Sequence, residues 1–262
     1  MTTTIALAGK GGVGKTTLAA LIIKYLIQQQ SGTILAIDAD PSSNLNLVLG
    51  LPLEWTIGDI REGMLGQVKL SLTQGGAAMG TMPGGVSKRD YLDYQIHSAL
   101  AEGSRYDLIA MGRGEGPGCY CAVNHNLREV IDSISKHYAY VIIDNEAGME
   151  HLSRRTTRDV QHLLVVTDPT PRGLMAAQRI ADMGKDLEIH IEKTWLVLNR
   201  VSREIPPQVR LQVEETGVPL LGIVPADEGL GDAELAGHPL VELGENALAY
   251  RAVFQMMAQI LG

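Results

Sequence analysis

The chain has 262 residues, enough for one large α/β domain with a substantial buried core. No linker or repeat divides it, so residues 1–262 are expected to form a single domain. A formal charge of −8 and an aromatic content of 4% argue against a broad phosphate-backbone footprint and against base-stacking surfaces, so nucleic acid is not an expected partner.

The opening MTTTIALAGKGG lacks a basic segment followed by a long apolar one. No later stretch reaches about 18 uninterrupted apolar residues, so the expectation is a soluble, cytoplasmic protein without a membrane span. In chain order, short apolar runs alternate with longer amphipathic segments. TTTIALA (2–8), TILAID (33–38), YDLIAMG (106–112), YAYVIID (138–144), HLLVVT (162–167), TWLVLN (194–199) and PLLGIV (219–224) read as buried parallel strands. Residues 16–30, 122–136, 173–187, 207–216 and 244–261 have helical length or spacing. The pattern predicts a doubly wound, mostly parallel sheet of about seven strands with helices on both faces. Residues 51–88 mix β-branched residues with many glycines and read as a hairpin-like insertion or loops without assigned chemistry.

The first strand runs into GKGGVGKTT, residues 9–17, which fits G-x-x-x-x-G-K-[ST] with Gly9, Gly14, Lys15 and Thr16 in the required places. Glycines here let successive backbone N–H groups turn toward a polyphosphate without a clashing Cβ, and the helix that follows adds its positive dipole end. Gly11, Gly12, Val13, Gly14, Lys15, Thr16 and Thr17 are therefore the expected nucleotide-binding residues. Lys15 is expected to reach the β and γ phosphates of ATP, and the Thr16 hydroxyl to meet Mg²⁺. Asp144, which closes the run YVIID at a strand end, is the expected second magnesium residue, and Gly148 would free the loop beyond it to move. DADPSSNLN after the second strand puts Asp38 and Asp40 where such a sheet opens toward phosphate. Asp38 reads either as support for the metal or as a turn-forming aspartate.

A second lysine, Lys10, near the start of the loop makes it resemble the deviant Walker A ATPases, the group of P-loop NTPases containing MinD, the arsenite-pump ATPase and the nitrogenase iron protein. The resemblance implies that Lys10 crosses a dimer interface to the phosphates of the partner subunit. It also implies that Asp40 orients the attacking water and that Asn199 contacts adenine. Pro225 and the backbone around Asp227 would pack over the base.

Cys119 and Cys121, in GPGCYCAVNH, are the two cysteines of the whole chain. One such pair supplies two soft ligands where a closed tetrahedral thiolate site needs four, so a metal site here requires a twofold dimer. The bland reading is two small buried apolar residues. His125 has helical spacing from Cys121 but stands alone as a ligand candidate. MGRGEGPGCYCAVNHNLR and DNEAGMEHLSR make the chain resemble the CooC-type accessory ATPases of carbon monoxide dehydrogenase. That resemblance implies a homodimer that closes on ATP, holds Ni²⁺ or Zn²⁺ between its cysteine pairs and couples hydrolysis to nickel insertion into carbon monoxide dehydrogenase. A close relative of these proteins serves acetyl-CoA synthase. An electron carrier with a [4Fe–4S] cluster on the same four thiolates is a different reading, weakened by the absence of a thiol after Asp144. A MinD-like membrane-associated ATPase is a third, weakened by a tail with a single basic residue, Arg251.

Overall fold

A computed structural model of the chain describes residues 2–60, 62–63, 88–112, 129–147, 159–186, 189–202 and 204–262. Among the described residues eight strands form one sheet: β1 (Thr3–Gly9), β2 (Ile34–Asp38), β3 (Ala101–Glu102), β4 (Tyr106–Ala110), β5 (Tyr140–Asp144), β6 (Asp159–Thr167), β7 (His190–Val201) and β8 (Leu220–Pro225). Their spatial order is β3-β4-β2-β5-β1-β6-β7-β8. Seven are the apolar runs expected from the sequence and pair in parallel. The eighth, β3, is a two-residue strand antiparallel to β4, too short and too polar to leave a sequence signal.

Each central strand is buried on both faces, and alternate residues enter two separate cores. Ile5 and Leu7 of β1, Ile34 and Ala36 of β2, and Leu164 and Val166 of β6 belong to one core. Ala6, Ala8, Leu35, Ile37, Leu163 and Val165 belong to the other. The first core is covered by α1 (Lys15–Gln28), α2 (Leu45–Leu49) and α7 (Leu248–Leu261). The second is covered by α3 (Lys88–Ser98), the helical residues 129–135, α4 (Pro171–Asp186) and α5 (Pro207–Glu215). Leu18, Leu21, Ile22, Ile23 and Leu26 of α1 are all fully buried. Each contributes about 1.5–3 kcal/mol relative to exposure, so α1 is held by its packing rather than by its ends. Lys24 joins it to the chain's last elements: its Nζ donates to the Val241 carbonyl at 3.0 Å and lies over the Tyr250 ring.

Helix boundaries depart from expectation for local reasons. α1 stops at Gln28 rather than at residue 30 because Gln30 turns to φ 50° and Gly32 to φ 112°. The last helix begins at Leu248 rather than at 244. Of the segment expected at 122–136, residues 129–135 are helical, and 122–128 lie outside the described residues. α2, α3 and α6 (Glu228–Leu235) fall outside the expected helical segments; α2 is only five residues long and α6 has no fully buried residue, so neither carries an apolar stripe long enough to read. Within 51–88, residues 57–60 are helical and 64–87 lie outside the described residues. Among the described residues no helix is long and apolar enough to cross a membrane.

His162 is buried on β6, where its Nδ1 accepts the Trp195 indole N–H at 3.2 Å. Burial, reinforced by Lys193, holds its pKa below the ordinary histidine value. The native state therefore takes up this proton less readily than the unfolded chain, and its contribution to stability, complete at neutral pH, is lost as pH falls below about 6.5. Replacing it by the neutral acceptor in His162→Gln removes that dependence. Thermal midpoints of parent and variant measured from pH 7.5 to 5.5 should show the parent falling relative to the variant; parallel curves would contradict the buried neutral imidazole.

Candidate functional site

β1 is the strand at which the chain's winding reverses, with β5 and β2 on one side and β6 on the other, and ligands of such sheets bind beyond the carboxyl ends of strands at this point. The loop of residues 10–14 leaves β1 there. Gly9 passes so close to β6 that a Cβ would run into the Val166 carbonyl. Gly12 and Gly14 take φ of 77° and 90°, in the left-handed region that favours glycine. A Cβ at Gly14 would stand 2.5 Å from the Asn199 amide nitrogen. The loop is thus shaped by backbone that only glycine permits. α1 follows with no side-chain cap, which leaves its first-turn N–H groups open to an anion.

Gly11 and Gly12 are exposed, while Val13 is buried beneath the loop. Lys15 lies 7% exposed, its Nζ 3.4 Å from the Lys10 carbonyl, and burial lowers its pKa against the raising influence of Asp144, Asp40 and Glu146. The Thr17 hydroxyl donates to Glu234 of α6 at 2.6 Å. Lys10 is exposed on an open groove that it lines with Ala147, Arg172, Met175 and Arg179.

The acids are set by strand register. Asp38 and Asp144 are paired positions of β2 and β5, and Leu7 of β1 pairs with Asp144 on its other side. Both residues are 1% exposed. Burial raises Asp144 to about 7 and Asp38 to about 6, each further raised by neighbouring carboxylates. Asp38 spends both oxygens on backbone, accepting from Asp40 N–H at 3.0 Å and from Leu45 N–H at 2.8 Å. Of the two readings of this residue, the turn-forming one describes its hydrogen bonds. Asp40 is half-buried, and one of its oxygens accepts the Ser42 N–H at 2.8 Å. Asp144 Oδ2 accepts the Thr16 hydroxyl at 2.5 Å, whereas its Oδ1 is buried with no hydrogen-bond partner among the described residues. A hydroxyl and an unsatisfied carboxylate oxygen beside an anion-binding loop fit a hard divalent cation such as Mg²⁺, which takes oxygen ligands and keeps several waters.

A cavity of about 300 Å³ opens beside the loop, between α1, the ends of β7 and β8, and α6. Asn199, Pro225 and Asp227 all line it, so the three residues assigned to the base share one cavity wall. Two of them carry further duties that the sequence did not disclose. The Asn199 amide donates to the Val13 carbonyl at 2.8 Å, and its oxygen accepts the Arg200 N–H at 2.9 Å. Asp227 caps two helices, accepting from Leu230 N–H at 3.3 Å in α6 and from Ala249 N–H at 3.0 Å in α7. The sequence reading missed Arg200, whose Nη1 donates to the Gly12 carbonyl at 2.8 Å, and Asn145, which ties β5 to β1 by donating to the Leu7 carbonyl at 2.8 Å. Asn145 was visible as a polar residue directly after a buried strand; nothing in the sequence marks Arg200 beyond its place after Asn199. Cys119, Cys121, His125 and Gly148 lie outside the described residues.

The chain is 42% identical over 257 residues to an uncharacterized ATP-binding protein of Methanocaldococcus jannaschii, covering 98% of both chains. It is 29% identical over 242 residues to the carbon monoxide dehydrogenase accessory protein CooC of Rhodospirillum rubrum, covering 91% of this chain and 89% of that one. The septum site-determining protein MinD of Pyrococcus horikoshii, solved with Mg-ADP, shares the fold with a TM-score of 0.69 at 22% identity, over 100% of this chain and 96% of that one. The model of the CobQ/CobB/MinD/ParA nucleotide binding domain matches residues 4–240. With a glycine-shaped loop at the sheet's reversal point and two acids in register beside it, the chain belongs to the CobQ/CobB/MinD/ParA family of nucleotide-binding proteins.

Proposed function

We propose that this protein is an ATP-hydrolysing metallochaperone that works as a cytoplasmic homodimer, carries nickel or zinc between the cysteine pairs of its two subunits and promotes nickel insertion into carbon monoxide dehydrogenase. The observation that carries the proposal is the pair Cys119 and Cys121 in a chain that aligns along 91% of its length with CooC. Two thiolates per subunit make four only across a twofold axis, which ties metal binding to dimerisation and so to nucleotide state. Acetyl-CoA synthase is the alternative client.

In this reading Lys15 and the N–H groups of residues 11–16 bind the phosphates of ATP, and Asn199, Pro225 and the backbone at Asp227 hold the adenosine end. Thr16 and Asp144 would hold Mg²⁺, which when bound offsets charge on the β and γ phosphates. The half-buried Asp40 orients the attacking water, and the exposed Lys10 reaches the phosphates of the partner subunit. Hydrolysis releases the segments that the γ-phosphate had fixed, and the dimer passes from a closed to an open state.

The cysteine site is tested by metal content. Anaerobically purified protein should hold one nickel or zinc per two chains, and Cys119→Ala or Cys121→Ala, each removing two of four sulfurs, should lose tight stoichiometric binding while still binding ATP. Brown iron–sulfide absorbance would turn the assignment to the [4Fe–4S] electron carrier.

The shared active site is tested by mixing. Lys10→Ala and Asp40→Ala homodimers should each be nearly inactive in ATP hydrolysis. A mixed dimer has one site with Asp40 from one subunit and Lys10 from the other. Random exchange makes about half the dimers mixed, with one of two sites working, so activity should return to roughly a quarter of the parent's. Flat activity after tagged chains have been shown to exchange would defeat action across the interface.

A further inference from the structure

Arg200 holds its place at a conformational cost. Its φ of 57° lies in the left-handed region, which a non-glycine residue enters rarely. The pairing of β7 with β8 slips between Leu198 and Val201, so Arg200 sits in an irregularity of the ladder, a device that redirects a side chain. The redirected guanidinium donates to the Gly12 carbonyl at 2.8 Å. Its other nitrogens lie over Gly14, 3.6 and 3.8 Å from where a Cβ would stand. Beside it the Asn199 amide donates to the next carbonyl, that of Val13, at 2.8 Å. Two consecutive residues at the end of β7 thus grip two consecutive carbonyls of the glycine loop.

The grip has a directional consequence. A peptide unit is planar and trans, so its C=O and N–H point to opposite sides. Drawing the Gly12 carbonyl toward Arg200 turns the Val13 N–H away from it, and drawing the Val13 carbonyl toward Asn199 does the same for the Gly14 N–H. Aligned N–H groups are what a loop needs to cradle an anion, and glycine backbone does not hold them aligned unaided.

We infer that Arg200 is a positioning residue for phosphate binding: its guanidinium fixes the Gly12 carbonyl and thereby presents the loop's N–H groups to the polyphosphate. This rests on reading residues 9–17 as the phosphate-binding loop. Because Arg200 also lines the nucleoside cavity, the rival role is contact with the base, which touches no phosphate.

Tripolyphosphate, which has no base, separates the two. By calorimetry with Mg²⁺, Arg200→Ala should bind both ADP and tripolyphosphate about tenfold or more weakly, the loss expected for a hydrogen bond to a charged donor. Arg200→Lys, which keeps one charged donor, should recover part of both affinities. Arg200→Gly, which relieves the left-handed backbone while removing the guanidinium, should bind as weakly as Arg200→Ala with no loss of thermal stability. In nucleotide-free protein the Val13 and Gly14 amide resonances should move in Arg200→Ala and return toward the parent positions in Arg200→Lys. A loss confined to ADP assigns Arg200 to the base and overturns the inference, as does parent-like tripolyphosphate binding by Arg200→Gly. Should Arg200→Ala fail to fold, the Lys and Gly variants carry the same comparison. Lys15→Ala serves as the reference: if it too binds tripolyphosphate like the parent, the loop assignment has failed, whereas its loss beside an unaffected Arg200→Ala sinks only the role given to Arg200.

Discussion

The register of three parallel strands governs this molecule. β2, β5 and β1 are aligned so that Asp38 lies opposite Asp144 and Asp144 opposite Leu7, and all three strands end at one edge. That alignment buries two carboxyl groups side by side, an arrangement that raises both pKa values and that a protein sustains only with partners or cations to answer it. The two acids answer differently. Asp38 turns both oxygens to backbone N–H groups and shapes the start of the segment containing Asp40. Among the described residues Asp144 keeps one oxygen unpartnered and gives the other to Thr16, the second residue of α1. The sheet edge therefore separates an acid tied to backbone from one with an oxygen to spare at equivalent strand positions, by the loops that follow each.

The glycine loop depends on the same edge from another direction. Gly9 leaves β1 against β6, with no room for a side chain, and the turn after it is held by groups from the end of β7. Three strands, β1, β6 and β7, thus meet within one loop, and β5 reaches the start of the helix that follows it through Asp144 and Thr16, which explains why the site belongs to the middle of the sheet and could not be assembled from a sequence-local unit.

Much of this was legible in the sequence because it is written locally. Seven strands announced themselves as apolar runs, and the loop as a spaced set of glycines with a lysine and a threonine. The features that escaped detection did so for physical reasons. β3 is two residues long, and α6 has no fully buried residue, so neither leaves a pattern. The ties from Asn199 to Val13 and from Arg200 to Gly12 join residues 186 and 188 positions apart, and the backbone turn that aims Arg200 belongs to no motif. Asp227 lines the cavity, and its carboxylate serves two helix ends whose starts the sequence did not mark.

α6 is an element without a core of its own. It walls the cavity beside the glycine loop yet has no fully buried residue, leaves Leu235 almost wholly in water, rests the half-buried Leu230 and Ala233 on the core, and is fastened by the Asp227 cap at its start and by Glu234 to Thr17. Displacing it breaks a few polar bonds and uncovers two half-buried apolar side chains, so its opening free energy falls well below that of the sheet. The cavity consequently has one wall that opens more readily than the rest of its lining. Amide protons of 228–235 belong among the fast-exchanging ones, and those of β1 and β6 among the last to exchange.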